Sequence, residues 1–237
     1  MPLIEHLREL RKRLTRATLA VVIGLAVGFW LVSETSPLPV IDYIIERFVI
    51  GLGGTKLRPV GVAETFTSYI SVALLIGIVL AMPVIVYQLL RFVTPGLLPK
   101  EKRILFLGLP FVVICFVGGL LFGWFVTVPA ALRFLLSVGN PLYIENTPSL
   151  ENFFAIFTRL MLLNGILFEM PVIIFLLARL GVLQPHVMGR YRRYIILLVV
   201  IISAIVTPTG DPVNLMLIAI PMYLLYELGL LLARLIR

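Results

Sequence analysis

The chain has 237 residues, of which 60% are hydrophobic and 14% charged, and its mean hydropathy is +1.09. Soluble domains carry about a quarter charged residues, so this composition excludes an ordinary soluble domain and indicates a membrane protein with several spans. The formal net charge of +8 would fit nucleic acid or anionic lipid as a partner, but the positions of the bases along the chain, given below, argue against nucleic acid.

The first fourteen residues carry a stripe of leucines. Leu3, Leu7, Leu10 and Leu14 recur at helical spacing, and charged residues occupy the other faces. This pattern predicts a short helix that lies on the membrane surface before the chain enters the bilayer.

Glu9 stands out in this segment because it is a carboxylate set among five bases. These bases are Arg8, Arg11, Lys12, Arg13 and Arg16. A segment that only anchors to anionic lipid has no use for a carboxylate, so Glu9 is a candidate cation-binding residue. The alternative is a local ion pair with Lys12 or Arg13, which follow at i+3 and i+4.

The long apolar stretches predict an all-α integral membrane protein with six transmembrane helices in a single membrane domain, 1–237. The approximate spans are 15–32, 66–90, 104–128, 153–180, 194–206 and 213–232. Short helices are expected in the outer loops, for example at 40–49. The span at 194–206 is about 20 Å long against about 30 Å of hydrocarbon, so either the bilayer thins there or this helix packs against protein.

The distribution of charge predicts the orientation. An even number of spans places both termini on one side, and fifteen of the twenty bases fall on that side, so the positive-inside rule predicts cytoplasmic termini. Only three acids lie on that face, and each is therefore a candidate site: Glu5, Glu9 and Glu101. For Glu101, as for Glu9, the alternative is an exposed ion pair with neighbouring bases, which contributes about 0–1 kcal/mol.

Glu169 stands inside an otherwise apolar span, two residues before Pro171. An ionised side chain at mid-bilayer costs about 2.5–3.5 kcal/mol on insertion scales, so such groups usually face a wet cavity or a partner. Three interpretations stay open. Glu169 is a protonated structural residue, a polar position on a groove used by a substrate or subunit, or the proton site of a secondary transporter or channel.

Other polar positions favour structural roles. Asp211 before Pro212 is typical of a helix start, Glu64 opens another helix, and Glu227 is expected to pair with a base. The sequence carries no nucleotide-binding loop, nucleophile elbow or metal-ligand cluster, and Ser203 has no histidine base in its span. We therefore predict that the chain is not an enzyme and needs no metal or cofactor.

An ordered set of motifs across nearly the whole chain resembles TatC, the multi-spanning receptor subunit of the twin-arginine (Tat) protein translocase. The set consists of the segment 6–11, Pro83 through Tyr87-Gln88 to Phe92, Pro95 and Leu97, the segment 168–171, Thr207-Pro208 with Asp211, and Pro221 with 225–227. One of these motifs alone would be weak, whereas the ordered set is specific.

The resemblance implies a core receptor, with a concave groove, in the bacterial cytoplasmic (inner) membrane. Such a receptor binds the twin-arginine signal peptides of folded preproteins and recruits the single-span subunits TatA and TatB for export driven by the proton-motive force. Other copies of the chain and membrane lipid are further expected partners. By the same resemblance Glu9 and Glu101 contact the two arginines, and Glu169 lines the groove.

The resemblance also assigns supporting and docking positions. The supporting motif comprises His6, Arg11, Tyr87, Gln88, Phe92 and Pro95, and the subunit-docking positions are Thr207, Asp211, Asn214, Tyr226 and Glu227. The chain departs from the family in two places. Asn214-Leu215 replaces a Ser-Gln pair early in the last span, and Val62 replaces a proline two residues before Glu64.

The charges themselves fit this function. A face with fifteen bases repels a cationic signal peptide, so local carboxylates must supply the attraction. Arginine can bind a carboxylate through two parallel hydrogen bonds, which lysine cannot reproduce. Against a proton-coupled transporter based on Glu169 stand the absence of an inverted repeat and of a second strongly buried acid, and an intramembrane enzyme lacks a paired nucleophile and base.

Overall fold

The structure is a computed structural model that describes residues 3–33, 36, 39–50, 57–59, 61–93, 99–137, 149–179, 181–207 and 211–235. Within these ranges every regular element is helical, and the only β structure is an isolated parallel bridge between Arg58 and Ser149. The prediction of an all-α membrane protein is therefore confirmed at the level of fold class.

Ten α-helices and one π-helical segment follow one another along the described chain. They are α1 (Leu3–Val32), α2 (Val40–Phe48), α3 (Glu64–Val93), α4 (Pro99–Phe122), the π segment (Gly123–Thr127), α5 (Val128–Ser137), α6 (Leu150–Phe168), α7 (Met170–Arg179), α8 (Pro185–Arg190), α9 (Arg192–Val206) and α10 (Pro212–Leu235). The helix α2 confirms the short helix expected at 40–49, and its place in an outer loop stays a prediction.

Five helical stretches of the described chain are long and apolar enough to cross a membrane. They are Ile4–Val32, Glu64–Phe92, Leu105–Leu135, Leu150–Arg179 and Pro212–Arg234. The predicted stretch at 194–206 is helical too, as α9, but its fifteen residues extend only about 22 Å. Five of the six predicted spans are thus confirmed by length and composition, and the sixth remains a prediction.

The prediction of a short surface helix at the start of the chain, before the first span, is wrong. Residues 3 to 32 form one continuous helix of thirty residues. No proline or glycine lies between Leu3 and Gly24, so nothing ends the helix between its charged first turns and its apolar part. The charged segment is therefore a rigid extension of the first span.

Prolines occupy two kinds of position. Pro83, Pro110 and Pro221 lie inside helices, and each removes one backbone hydrogen bond. Pro171 differs, because the helix breaks at Glu169 and Pro171 falls in the first turn of α7. A proline is tolerated there because the first turn of a helix has no internal partner for its N–H groups.

The chain divides into two compact units. The first comprises Met1–Glu46, Leu57–Val113 and Pro148–Thr158, and the second Arg47–Lys56, Ile114–Thr147 and Arg159–Arg237. A single membrane domain over 1–237 remains a prediction.

In the first unit α1 crosses α3 at very close range. A Cβ atom added to Gly24 would overlap the carbonyl oxygen of Gly77, and one added to Gly28 would overlap the carbonyl oxygen of Ala73. Backbone therefore touches backbone at this crossing, which is the use that membrane helices make of small residues. These contacts set which residues of α1 lie opposite which residues of α3.

In the second unit α10 packs against α7, α8 and α9. Two buried clusters line these contacts, and they are Ile174 with Tyr226 and Ala233, and Val199 with Ala219 and Met222. A Cβ atom on Gly229 would lie 2.8 Å from the Cα of Pro171, so glycine permits the close approach of α10 to α7. These helices carry most of the positions that the sequence assigns to docking.

The π segment of the second unit has a buried polar partner. The Thr127 hydroxyl donates a hydrogen bond to Asn164 Oδ1 at 3.1 Å, and Asn164 Nδ2 donates to the carbonyl of Leu160 at 2.8 Å. Both side chains are buried and satisfied. This pair stabilises the end of the π segment, where the hydrogen-bond pattern returns to that of an α-helix.

Candidate functional site

Glu9 lies in the second turn of α1 and is held by Arg13, one turn further on. Arg13 Nε donates to Glu9 Oε1 at 2.9 Å, and Arg13 Nη2 donates a second hydrogen bond to the same oxygen. The local ion pair that the spacing at i+4 allows is therefore present. The carboxylate keeps 24% of its side chain exposed and the guanidinium 14%, so the group that can receive a ligand is the carboxylate.

Gln88 of α3 lies on the far side of this guanidinium. Arg13 Nη1 donates to Gln88 Oε1 at 3.4 Å, and the glutamine is buried. This contact connects the charged end of α1 to the last turns of α3. Two positions of the supporting motif come together nearby, since the rings of His6 and Phe92 stack with their centroids 4.6 Å apart.

Tyr87 is another supporting position, but it points toward other partners. Its ring lies 5.7 Å from the ring of Phe106 and carries the guanidinium of Arg91 at 5.6 Å. Such a cation–π contact stabilises by about 0.5–1 kcal/mol at an exposed site. Arg11, also assigned to the supporting motif, is exposed.

The arrangement around Glu9 can bind a cation. Four more bases of the segment are exposed around it, and they are Arg8, Arg11, Lys12 and Arg16. Within the described part of the chain no residue donates a hydrogen bond to Glu9 Oε2. The carboxylate thus holds one guanidinium through one oxygen and presents the other oxygen to a second donor.

The second predicted carboxylate, Glu101, belongs to α4. Glu101 lies in the first turn of α4, but its side chain falls outside the described part of the structure, and Pro95 lies outside the described residues altogether. The convergence of Glu9 and Glu101 remains a prediction.

Glu169 of the second unit occupies the one-residue break between α6 and α7. Its N–H donates to the carbonyl of Ile166 at 3.1 Å, and its own carbonyl accepts from the N–H of Ile173 at 2.9 Å. The side chain is only 6% exposed, and no described residue forms a hydrogen bond with either carboxyl oxygen. A buried carboxyl without a partner is unfavourable, and polar groups kept at such a cost usually have a functional partner.

The five docking positions separate into two groups, one at the start of α10 and one near its middle. Asp211 and Asn214 lie at its start, where Asp211 Oδ2 accepts from the N–H of Asn214 at 2.8 Å and caps the helix, as predicted. Thr207 ends α9, and its hydroxyl donates to the carbonyl of Ser203 at 2.6 Å. Tyr226 lies twelve residues beyond Asn214, or about 18 Å along a helix, so the structure does not bring all five together.

The second group forms a small network. Arg192 Nη2 donates to Glu227 Oε2 at 2.7 Å, which confirms the predicted pairing of Glu227 with a base, and the Tyr223 hydroxyl donates to the other carboxyl oxygen at 2.9 Å. The buried Tyr226 donates to the carbonyl of Met188 at 3.0 Å. These contacts join the start of α9 and the end of α8 to α10.

Arg13 is the residue of this site that sequence reasoning did not place in the candidate set. Its spacing at i+4 from Glu9 indicated an ion pair, and Lys12 at i+3 was an equal competitor. What separates the two bases is burial against α3, because Arg13 faces Gln88 whereas Lys12 is exposed. A helical projection that placed Arg13 on the α3-facing side with Gly24 would have identified it.

Comparison with known proteins gives concordant results. The family model described as "Sec-independent protein translocase protein (TatC)" matches residues 5–221. The chain is 30% identical to a Sec-independent protein translocase protein TatC from Carboxydothermus hydrogenoformans, with 100% of this chain and 94% of that protein covered. It is 34% identical to the corresponding protein from Aquifex aeolicus, with 99% and 95% covered.

A solved structure agrees with these relatives. A crystal structure of the twin-arginine translocase receptor TatC matches with a TM-score of 0.82 and 32% identity, over 97% of this chain and 98% of that chain.

Proposed function

The chain belongs to the TatC family of Sec-independent protein translocase proteins, and from this premise we propose that Glu9 and Glu101 bind the two arginines of a twin-arginine signal peptide. The chain is a multi-pass receptor component of that translocase and not an enzyme. The proposal concerns which residues perform the recognition.

One observation supports this assignment most directly. Glu9 already holds a guanidinium, that of Arg13, through two hydrogen bonds to one oxygen, while the carboxylate stays about a quarter exposed. The geometry needed to bind an arginine is therefore present at this carboxylate. Charge-assisted hydrogen bonds of this kind are roughly twice as strong as neutral ones, so a second guanidinium has a favourable acceptor in Oε2.

The proposal extends to topology and location. Fifteen of the twenty bases fall on the side of the termini when six spans are counted, and the positive-inside rule then places the termini, with Glu9, in the cytoplasm. Signal peptides of proteins awaiting export are on that side. We place the chain in the cytoplasmic membrane of a bacterium, with α9 as the short sixth span.

The proposed partners are folded preproteins with twin-arginine signals, single-span subunits of the TatA and TatB type, further copies of the chain and membrane lipid. Glu169 is the proposed polar position of a groove, because a buried carboxyl with no described partner is suited to a polar group on another chain. Thr207, Asp211, Asn214, Tyr226 and Glu227 are the proposed docking positions. Transport energy is expected from the proton-motive force.

The alternative of a proton-coupled transporter or channel rested on Glu169 alone. The relatives and the solved structure compared with this chain are translocase components, and no described contact of Glu169 favours ion transport over subunit binding.

A binding experiment tests the proposal. The full chain in lipid nanodiscs is titrated with a fluorescent twin-arginine signal peptide, and Glu9→Gln and Glu101→Gln are compared with Glu5→Gln, an exposed acid of the same helix as Glu9. We expect each of the first two changes to weaken binding by about tenfold, since a hydrogen bond to a charged group contributes about 1.5–3 kcal/mol. Unchanged affinity in both would contradict the proposal, as would an equal loss in Glu5→Gln.

A further inference from the structure

Arg13 is a charged residue at the site for which signal-peptide binding provides no role. The neighbouring bases Arg11, Lys12 and Arg16 are exposed, whereas Arg13 is only 14% exposed and lies against α3. A guanidinium that merely followed the positive-inside rule would face solvent like its neighbours. Arg13 instead uses all of its described hydrogen bonds on two acceptors, Glu9 and Gln88.

The two hydrogen bonds on Glu9 fill one carboxylate oxygen. An oxygen of this kind has two lone-pair positions, and the Nε and Nη2 groups of Arg13 both donate to Oε1. An incoming arginine that forms two parallel hydrogen bonds, one to each carboxylate oxygen, needs both oxygens of Glu9. It can reach Oε2 while Arg13 is present, but it gains Oε1 only when Arg13 leaves.

Gln88 provides the place to which Arg13 can move. Its Oε1 lies 3.4 Å from Arg13 Nη1, at the long end of the hydrogen-bond range, so a small movement of the guanidinium toward α3 strengthens this contact while releasing Glu9. Gln88 is buried and cannot itself reach a ligand in solvent as Glu9 can.

We propose that Arg13 is an internal competitor for Glu9: in the free receptor it occupies the carboxylate oxygen that a signal-peptide arginine takes, and on binding it transfers to Gln88. This inference rests on the proposed function of Glu9. As a consequence, Arg13 lowers the affinity of the receptor for the signal peptide. The return of Arg13 to Glu9 then helps to release a bound signal peptide. A lysine needs only the open Oε2 and leaves Arg13 in place, so the competition acts on arginine ligands.

The test compares two peptides on three variants. A twin-arginine peptide and its twin-lysine counterpart are titrated against Arg13→Gln, against Arg13→Lys and against Arg16→Gln, which removes the same charge from an exposed position of α1. For Arg13→Gln we expect about tenfold tighter binding of the twin-arginine peptide and less than about threefold for the twin-lysine peptide. Arg13→Lys should give an intermediate gain, and Arg16→Gln a small and equal gain for both peptides.

Two results would overturn the proposal. Equal gains for both peptides, of the size seen in Arg16→Gln, would mean that only net charge matters. Weaker twin-arginine binding in Arg13→Gln would mean that Arg13 positions Glu9 instead of competing for it. Thermal unfolding of each variant is recorded, and if Arg13→Gln does not fold, the charge-preserving Arg13→Lys carries the test.

A double-mutant cycle tests the role of Gln88. Gln88→Leu should weaken twin-arginine binding when Arg13 is present, because the displaced guanidinium loses its acceptor, and should have no effect in the Arg13→Gln background. An equal loss in both backgrounds would overturn the transfer to Gln88.

Glu9→Gln is measured alongside these variants. Weaker binding in Glu9→Gln without a gain in Arg13→Gln would overturn only the competition. Unchanged binding in Glu9→Gln would overturn the proposed role of Glu9 and the competition together.

Discussion

The side chain of Glu64 ties the start of one transmembrane helix to the start of another. Its Oε1 accepts a hydrogen bond from the backbone N–H of Glu151 at 2.9 Å, and its Oε2 accepts from the N–H of Gly61 at 3.1 Å. Glu64 is the first residue of α3, and Glu151 lies in the first turn of α6. One buried carboxylate therefore accepts hydrogen bonds from an N–H group just before α3 and from an N–H group in the first turn of α6.

Replacing Glu64 by alanine should destabilise the chain by about 2–3 kcal/mol, because two N–H groups lose a charged acceptor. Glu64→Gln keeps one acceptor oxygen of similar reach and should cost about half as much. Thermal unfolding of the purified chain in detergent measures both. Glu46→Ala, at an exposed acid of α2, serves as the control and should change the midpoint little. A midpoint for Glu64→Ala equal to that of the control would contradict this role.

The crossing of α1 and α3 should not tolerate a single methyl group. Gly24→Ala places a Cβ atom against the Gly77 carbonyl oxygen, so the helices must separate, at a cost of about 1–3 kcal/mol. Gly118→Ala is the matched control, since its Cβ atom would meet only Phe168 Cδ1 at 3.8 Å, an ordinary contact. The yield of folded protein and its unfolding midpoint should fall for Gly24→Ala and stay level or rise for Gly118→Ala.

Two buried polar residues of neighbouring turns should respond to leucine with opposite signs. Glu169→Leu removes a carboxyl group that has no described partner and should stabilise the purified chain by about 1 kcal/mol or more. Asn164→Leu breaks hydrogen bonds to Thr127 and Leu160 and should destabilise it by about 1–3 kcal/mol.

Export of a twin-arginine substrate in cells separates stability from function at Glu169. If the carboxyl group contacts another chain, Glu169→Leu should lose export while its unfolding midpoint rises. A variant that is both more stable and fully active would show that the carboxyl group has no partner during transport.

The network around Glu227 near the middle of α10 should depend on Tyr226 more than on the ion pair. Arg192 and Glu227 are exposed by 46% and 27% at their side chains, and a pair of this kind contributes about 0.2–1 kcal/mol. Tyr226→Phe leaves the Met188 carbonyl without its donor and should cost about 1–2 kcal/mol. Unfolding midpoints in low and high salt distinguish Glu227→Gln from Tyr226→Phe. Only the destabilisation caused by Glu227→Gln should become smaller at high salt, because salt screens the ion pair.

Much of the fold could be predicted because bilayer hydrocarbon imposes a simple pattern. Runs of apolar residues must be helical there, and five of the six predicted runs have the length and composition of spans. Helix boundaries were less accessible. Hydropathy predicts a first span that starts at Thr15, but Leu3–Val32 is one helix, because hydropathy marks where the apolar part begins and not where the helix does.

The details of the site could be predicted only where the partners are close in sequence. The spacing of Glu9 and Arg13 is visible in the chain, as is the cap at Asp211. The contact of Arg13 with Gln88 joins residues 75 positions apart, and no local pattern encodes it. The break at Glu169 differs from the continuous span predicted at 153–180, because a proline in an apolar run fits both a kinked helix and the first turn of a new one.

Close contacts with α3 recur along the whole of α1, from Gly28 against Ala73, through Gly24 against Gly77, to Arg13 against Gln88. Glu9 lies fifteen residues before Gly24 on the same unbroken helix, about 22 Å away. Because one continuous helix carries both parts, a substitution that separates the helices at Gly24 should also disturb the contact of Arg13 with Gln88, although it is far from the charged segment in sequence.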